Sequence, residues 1–213
     1  DPVGPFASGE DYIDWDMWLG WKFDRAPRIP WNPQHFFYFR GYFNYNGGVA
    51  TDLLYHFLAP LLLAIVGEKG EYPIRATGNG GLYANKDSRE VPDAFFMTVD
   101  FPSEFTVQLE SVLTNEFRRP TRIYGRYGTM EFSESSSDLT ATATGAFKDK
   151  FREENDGYDK IVLPARPRRD LFGNMFDVIR EGGTLHCGVD LGATTMVAIK
   201  MGVEAYRQSK TML

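Results

Sequence analysis

Asp52 and His56 are the pair of side chains in this sequence best placed to do chemistry. They stand four apart in an apolar stretch that runs at helical spacing, so a helix brings them to one face, one turn from each other. There a carboxylate can orient an imidazole and raise its basicity, and an imidazole that titrates near neutrality can take or give the proton of a substrate hydroxyl. The spacing also suits a plainer arrangement, with Asp52 at a helix start and His56 a satisfied core histidine. Upstream, Arg40, Tyr42, Asn44 and Tyr45 mix polar tips with aromatic bodies, as sugar-binding loops do, although an aromatic-rich loop packs by default.

Other chemistries find less support. Gly78-Asn79-Gly80-Gly81 is the nearest approach to a phosphate cradle, but Tyr83 stands where a third glycine belongs and a strand pattern follows, so the cluster reads as a hairpin turn. His35, His56 and His186 lack the spacing of a metal site with one another or with Cys187, and no metal is expected. No Gly-x-Ser-x-Gly elbow occurs, and Cys187 beside His186 is not how a Cys-His dyad is built. Cys187 reads as structural.

These residues must be positioned by a folded scaffold. The 213 residues are 43% hydrophobic and 24% charged, which is ordinary globular usage. With 23 basic against 29 acidic residues the net charge is -6, which repels a phosphate backbone, so no nucleic-acid partner is expected. A single cysteine forms no internal disulfide and no Asn-x-Ser/Thr occurs, which leaves the compartment, cytoplasmic or exported to a periplasm, open. The longest nearly apolar run, 53–66, is interrupted by His56 and Pro60 and falls short of the ~20 residues of a membrane span, so it reads as a core helix and no membrane partner is expected. Asp1-Pro2 reads as the cut end of something longer.

Residues 1 to 48 are rich in Trp, Phe, Tyr, Gly and Pro with weak periodicity, which suits aromatic-anchored loops wrapped over a scaffold. Helical spacing takes over from Gly48 to Val66, where Pro60 should cost a backbone hydrogen bond. Period-two alternation follows: Phe95, Met97, Val99 and Phe101 share one face, and Phe105, Val107, Leu109 and Leu113 share one face of the next strand across a Phe101-Pro102-Ser103-Glu104 turn. Further strands are expected at 74–84, 121–124, 129–133, 139–145 and 158–163, and helices at 170–180 and 191–209. Helix, then sheet, then helices implies an α+β fold: a large open, mostly antiparallel sheet with helices on one face.

Three sets of residues then carry a family likeness: Asp14-Trp15-Asp16-Met17-Trp18-Leu19-Gly20; Gly47-Gly48 with Asp52 and His56; and Arg89-Glu90-Val91-Pro92-Asp93. Tyr124-Gly125-Arg126-Tyr127-Gly128-Thr129 and the closing helix with Tyr206-Arg207 extend it. In this order the pieces resemble the C-terminal domain of the Gfo/Idh/MocA oxidoreductases, over nearly the whole chain. The resemblance implies a fold like the C-terminal domain of glyceraldehyde-3-phosphate dehydrogenase. It makes residues 1–213 a substrate-binding and oligomerisation domain without its N-terminal Rossmann domain. It implies NAD or NADP in the full-length protein, none for this chain alone, and a homo-oligomer formed through the open sheet face. The substrate would be a sugar, sugar derivative or polyol, with Asp52 and His56 catalytic and Arg40, Asn44 and Tyr45 as substrate contacts. The family's lysine partner belongs to the Rossmann half. Ala59 and Leu54 stand where many relatives carry Asp and Gly. A sensor or assembly domain keeping the same fold is the alternative.

Overall fold

The computed structural model describes residues 3–116, 119–133 and 138–213, so Asp1 and Pro2 lie outside the described residues. In chain order come helices α1 (Trp15–Leu19) and α2 (Pro33–Phe37), a π-helical turn (Ala50–Leu54) running directly into α3 (Tyr55–Val66), and strands β1 (Arg75–Gly81), β2 (Ala94–Phe101) and β3 (Phe105–Val112). Next are β4 (Arg122–Tyr124), β5 (Gly128–Phe132), β6 (Leu139–Ala143), α4 (Lys148–Glu154), β7 (Lys160–Leu163), α5 (Leu171–Glu181) and α6 (Val189–Gln208). The α+β class holds, and every strand pairing is antiparallel. The hydrogen bonding forms two ladders, β1-β2-β3 and β4-β5-β6-β7. The chain divides into two compact units, Asp1–Asn115 with Asp177–Leu213, and Glu116–Phe176.

The first unit holds the three-stranded ladder. Alternation along β2 buries Phe95, Met97, Val99 and Phe101, and β3 sets Leu109 opposite Met97 and Val107 opposite Val99, so one face of the sheet is apolar. Helix α6 covers that face, burying Leu191, Ala198, Ile199 and Val203, and α3 packs on α6 through its own buried Leu58, Leu61 and Leu62. The Phe101–Phe105 pair closes the β2–β3 hairpin with stacked rings 4.6 Å apart. On the opposite face Thr77 lies across from Thr98, and Thr98 from Gln108, with Phe96 between Asn79 and Glu110.

Two readings of the sequence are corrected. Gly78-Asn79-Gly80-Gly81 is not a hairpin turn but the second half of β1. The reason is tertiary: a Cβ on Gly78 would meet the Gly202 carbonyl and the Tyr206 amide of α6, so a bare backbone is what lets helix and strand approach. The aromatic N-terminal stretch is also more regular than loops. Asp14 accepts from the Met17 amide to cap α1, and Asn32 accepts from the Gln34 amide with Pro33 in the first turn of α2.

In the second unit, β4 to β7 form a meander of short strands, with α4 between β6 and β7. Arg122 pairs with Glu131 across β4–β5, and Tyr127 packs edge-on against Phe147.

Candidate functional site

The turn that carries Asp52 is wound as a π-helix, an uncommon geometry that recurs at functional sites and re-aims the residues within it. Its entry is fixed by Thr51, whose hydroxyl donates to Asn46 Oδ1 at 2.9 Å and accepts from the Gly47 amide. Gly48 precedes it at φ 69°, and a Cβ there would lie 2.7 Å from Val91, so both the backbone twist and the close approach of the 82–92 loop call for glycine.

Asp52 accepts a hydrogen bond from Arg40 Nε at 2.9 Å. That pair borders a cavity of about 380 Å³ whose other walls include Gln34, Tyr38, Tyr42, Asp87, Arg89 and Leu113. His56 follows one turn later on α3, exposed, with its ring edge-on to Tyr55 at 6.2 Å and outside the cavity lining. Asp52 is therefore oriented by Arg40, while His56 is not among the cavity walls. Pro60 has no amide to offer the His56 carbonyl four residues back, although α3 runs on through it.

Arg40 alone of the three residues read as substrate contacts reaches the cavity. Asn44 is exposed and not among its walls. Tyr45 instead joins an aromatic cluster, sharing a 2.9 Å hydrogen bond with His35, whose ring stacks on Tyr42 at 3.8 Å. Burial, then the nearby Glu90 and Tyr42, raise the Tyr45 phenol above its ordinary value. Cys187 lies 3.5 Å from the Tyr55 hydroxyl, and that contact, with burial, pushes Tyr55 up to about 12.

A second part of the cavity lining was not read from the sequence as a site. It is built by the loop between β1 and β2, and its anchor is Asp93, 0% exposed. Burial alone would raise this carboxyl. It is held down at about 2 because it accepts from the amides of Asn85, Tyr83 and Ala84 and from the Asn85 side chain. The clamped loop then docks on the segment carrying Arg40: Glu90 and Val91 donate to the Gly41 carbonyl, and Phe43 donates to the Glu90 carboxylate. It presents Asp87 and Arg89 as a two-pronged pair, 2.7 and 2.6 Å, which holds the Asp87 carboxyl at about 2. The signal available in the sequence was an aspartate opening a buried strand, where a carboxylate needs donors.

A more open hollow of about 540 Å³ lies among Phe6, Tyr12, Trp15 and Trp31, and its ion pair, Arg28–Asp16, is 62% and 43% exposed. It contains neither Asp52 nor His56. Among the described residues no cluster of His, Cys, Asp or Glu could hold a metal ion, and no helix is long and apolar enough to cross a membrane.

Residues 7–86 match the family model described as "Oxidoreductase family, C-terminal alpha/beta domain", the second C-terminal model of the Gfo/Idh/MocA group. No curated protein matches the chain in sequence. Solved structures share its fold. An NAD-binding protein from Listeria innocua is 18% identical, with a TM-score of 0.60, covering 88% of this chain and 56% of its own. An oxidoreductase from Agrobacterium radiobacter, solved with NAD+, L-tartaric acid and magnesium, is 13% identical at TM-score 0.57, covering 85% and 53%. A UDP-N-acetylglucosamine 3-dehydrogenase from Acidithiobacillus ferrooxidans is 15% identical at TM-score 0.57, covering 90% and 57%. The chain thus spans about half the length of the structures it matches.

Proposed function

We propose that this chain, whose residues 7–86 match the model of the Gfo/Idh/MocA oxidoreductase C-terminal domain, is the substrate half of a nicotinamide-dependent oxidoreductase acting on a hydroxyl-bearing sugar, sugar derivative or polyol. The observation that carries the reading is the Asp52 carboxylate, set in a π-helical turn and oriented by Arg40 at the edge of a cavity of sugar-sized volume.

Among the described residues, Gly78-Asn79-Gly80-Gly81 offers no cradle for the pyrophosphate of NAD or NADP. The run lies within β1, paired with β2, and Gly78 is packed against α6. In this reading the nucleotide is bound by a separate Rossmann half. This chain's own residues bind and orient the substrate and handle its proton. Asp52, held by Arg40, accepts from a substrate hydroxyl and fixes its direction. His56, one turn along α3, takes the hydroxyl proton as the alcohol is oxidised and returns it in the reverse direction. His56 is exposed, so the proton can pass from it to solvent.

That same position favours a second reading, a sugar-binding domain without catalysis, because His56 is not among the cavity walls. The separating experiment is a dehydrogenase assay on the complete protein with NAD and NADP and a panel of sugars and polyols. Turnover that collapses in His56→Asn supports the enzyme. Binding of a sugar with no turnover on either cofactor supports the binding domain.

A further inference from the structure

We propose that Asp87 and Arg89 form a second substrate-contacting wall of the cavity and that, together with Arg40 and Asp52, they select an uncharged polyhydroxy group over an anionic one. This rests on the reading that the cavity takes the substrate.

The argument begins with charge. The carboxylates and guanidinium groups among the lining residues are Arg40, Asp52, Asp87 and Arg89, two of each sign. Each guanidinium is already matched: Arg40 Nε to Asp52 at 2.9 Å, and Arg89 through Nε and Nη2 to the two oxygens of Asp87. An incoming carboxylate or phosphate must displace an aspartate or sit beside it, and either costs the attraction it would gain. A hydroxyl meets no such conflict, because it can accept from the N–H groups the pairs leave over and donate to the carboxylate lone pairs they leave over. Adjacent donors and acceptors on each wall suit a vicinal diol.

The second wall is fixed before any ligand arrives. Asp93 clamps the loop at 83–85, the Glu90 and Val91 amides tie it to Gly41, and Tyr42 shares a 3.0 Å hydrogen bond with Ser88 between the two paired residues. The Arg89 side chain is 29% exposed, against 62% for Arg40, so it is seated in the wall rather than waving from it. A paired fork held this firmly recognises geometry with little ordering cost on binding.

The test is ligand-observed NMR titration of the 213-residue chain with glucose and with glucuronate, which differ only in a hydroxymethyl against a carboxylate. The wild-type chain is expected to favour glucose by roughly threefold, the scale of one exposed charge pair. Asp87→Asn frees Arg89 and should invert the preference, whereas Arg89→Gln leaves a bare carboxylate and should weaken glucuronate further. A wild-type preference for glucuronate, a ratio unmoved by both substitutions, or no binding of either sugar overturns the proposal. The measurement needs neither cofactor nor turnover. If the ratio inverts while the complete protein oxidises nothing, it is the oxidoreductase reading that fails.

Discussion

His56 is the residue on which catalysis and structure make opposite forecasts. Because it is exposed and off the packed face of α3, His56→Asn should leave the melting temperature of the complete protein within about 2 °C of wild type. If it carries the substrate proton, the same change should lower turnover by ~10² to 10⁴ with little effect on cofactor affinity. Near wild-type turnover in the folded variant would remove His56 from the mechanism. Asp93 makes the converse case. Its carboxyl is held at about 2, below the ordinary 3.8, so the folded state binds fewer protons and its stabilisation is complete above about pH 5 and lost as pH falls toward 2. The melting-temperature gap between wild type and Asp93→Asn should therefore narrow steadily from pH 5 to pH 2; a gap independent of pH would mean the carboxylate charge is not what the loop amides hold. The sequence marked Asp52 and His56 because a helix makes neighbours of residues four apart. It could not mark Arg40 as the partner of Asp52, or Asp93 as an anchor, because those contacts join elements that only the fold brings together.

Elements were legible where one local pattern decided them. Strict alternation in β2 and β3 places their buried faces residue by residue, since a pleated strand sends successive side chains to opposite sides. The π-helical turn was not legible, because its first-turn contacts with Asn46 and Gly47 are set by the preceding turn rather than by apolar spacing. The glycine run failed for the opposite reason. Glycine is a turn residue by local preference, and here the closeness of α6 overrode it. Gly78→Val tests this at the scale of the element: its Cβ would meet the Gly202 carbonyl, so either α6 or β1 must move. A loss of about 3 kcal/mol in denaturant unfolding is expected, with a matching loss of amide protection in α6. A variant as stable as wild type would show that the strand and helix have slack between them.

At the scale of the whole molecule the antiparallel α+β character follows from the order of patterns along the chain. The division into two ladders does not, because it depends on which strands find hydrogen-bond partners rather than on any one strand's composition. For partners, the place of Gly78-Asn79-Gly80-Gly81 within β1, which leaves no pyrophosphate cradle there, predicts no calorimetric heat when NAD or NADP is titrated into residues 1–213; micromolar binding would contradict that. Assembly is the larger question, and the outer face of β1-β2-β3 carries it. Alternation puts Thr77, Asn79, Thr98, Gln108 and Glu110 there with Phe96 among them, 41% exposed. A face of this kind cannot associate by apolar burial alone, but a hydrogen-bonding surface around one aromatic anchor suits an interface whose energy is concentrated in few residues. If two copies meet through this face, Phe96 becomes buried at its centre, and Phe96→Glu would bury a charge without a partner. Sedimentation of the wild-type chain at about 100 μM should then show a dimer or larger species, and Phe96→Glu should sediment as a monomer with an unchanged melting profile for the monomeric fold. Monomeric wild type at that concentration, or a dimer indifferent to Phe96→Glu, would place the contact elsewhere or remove it.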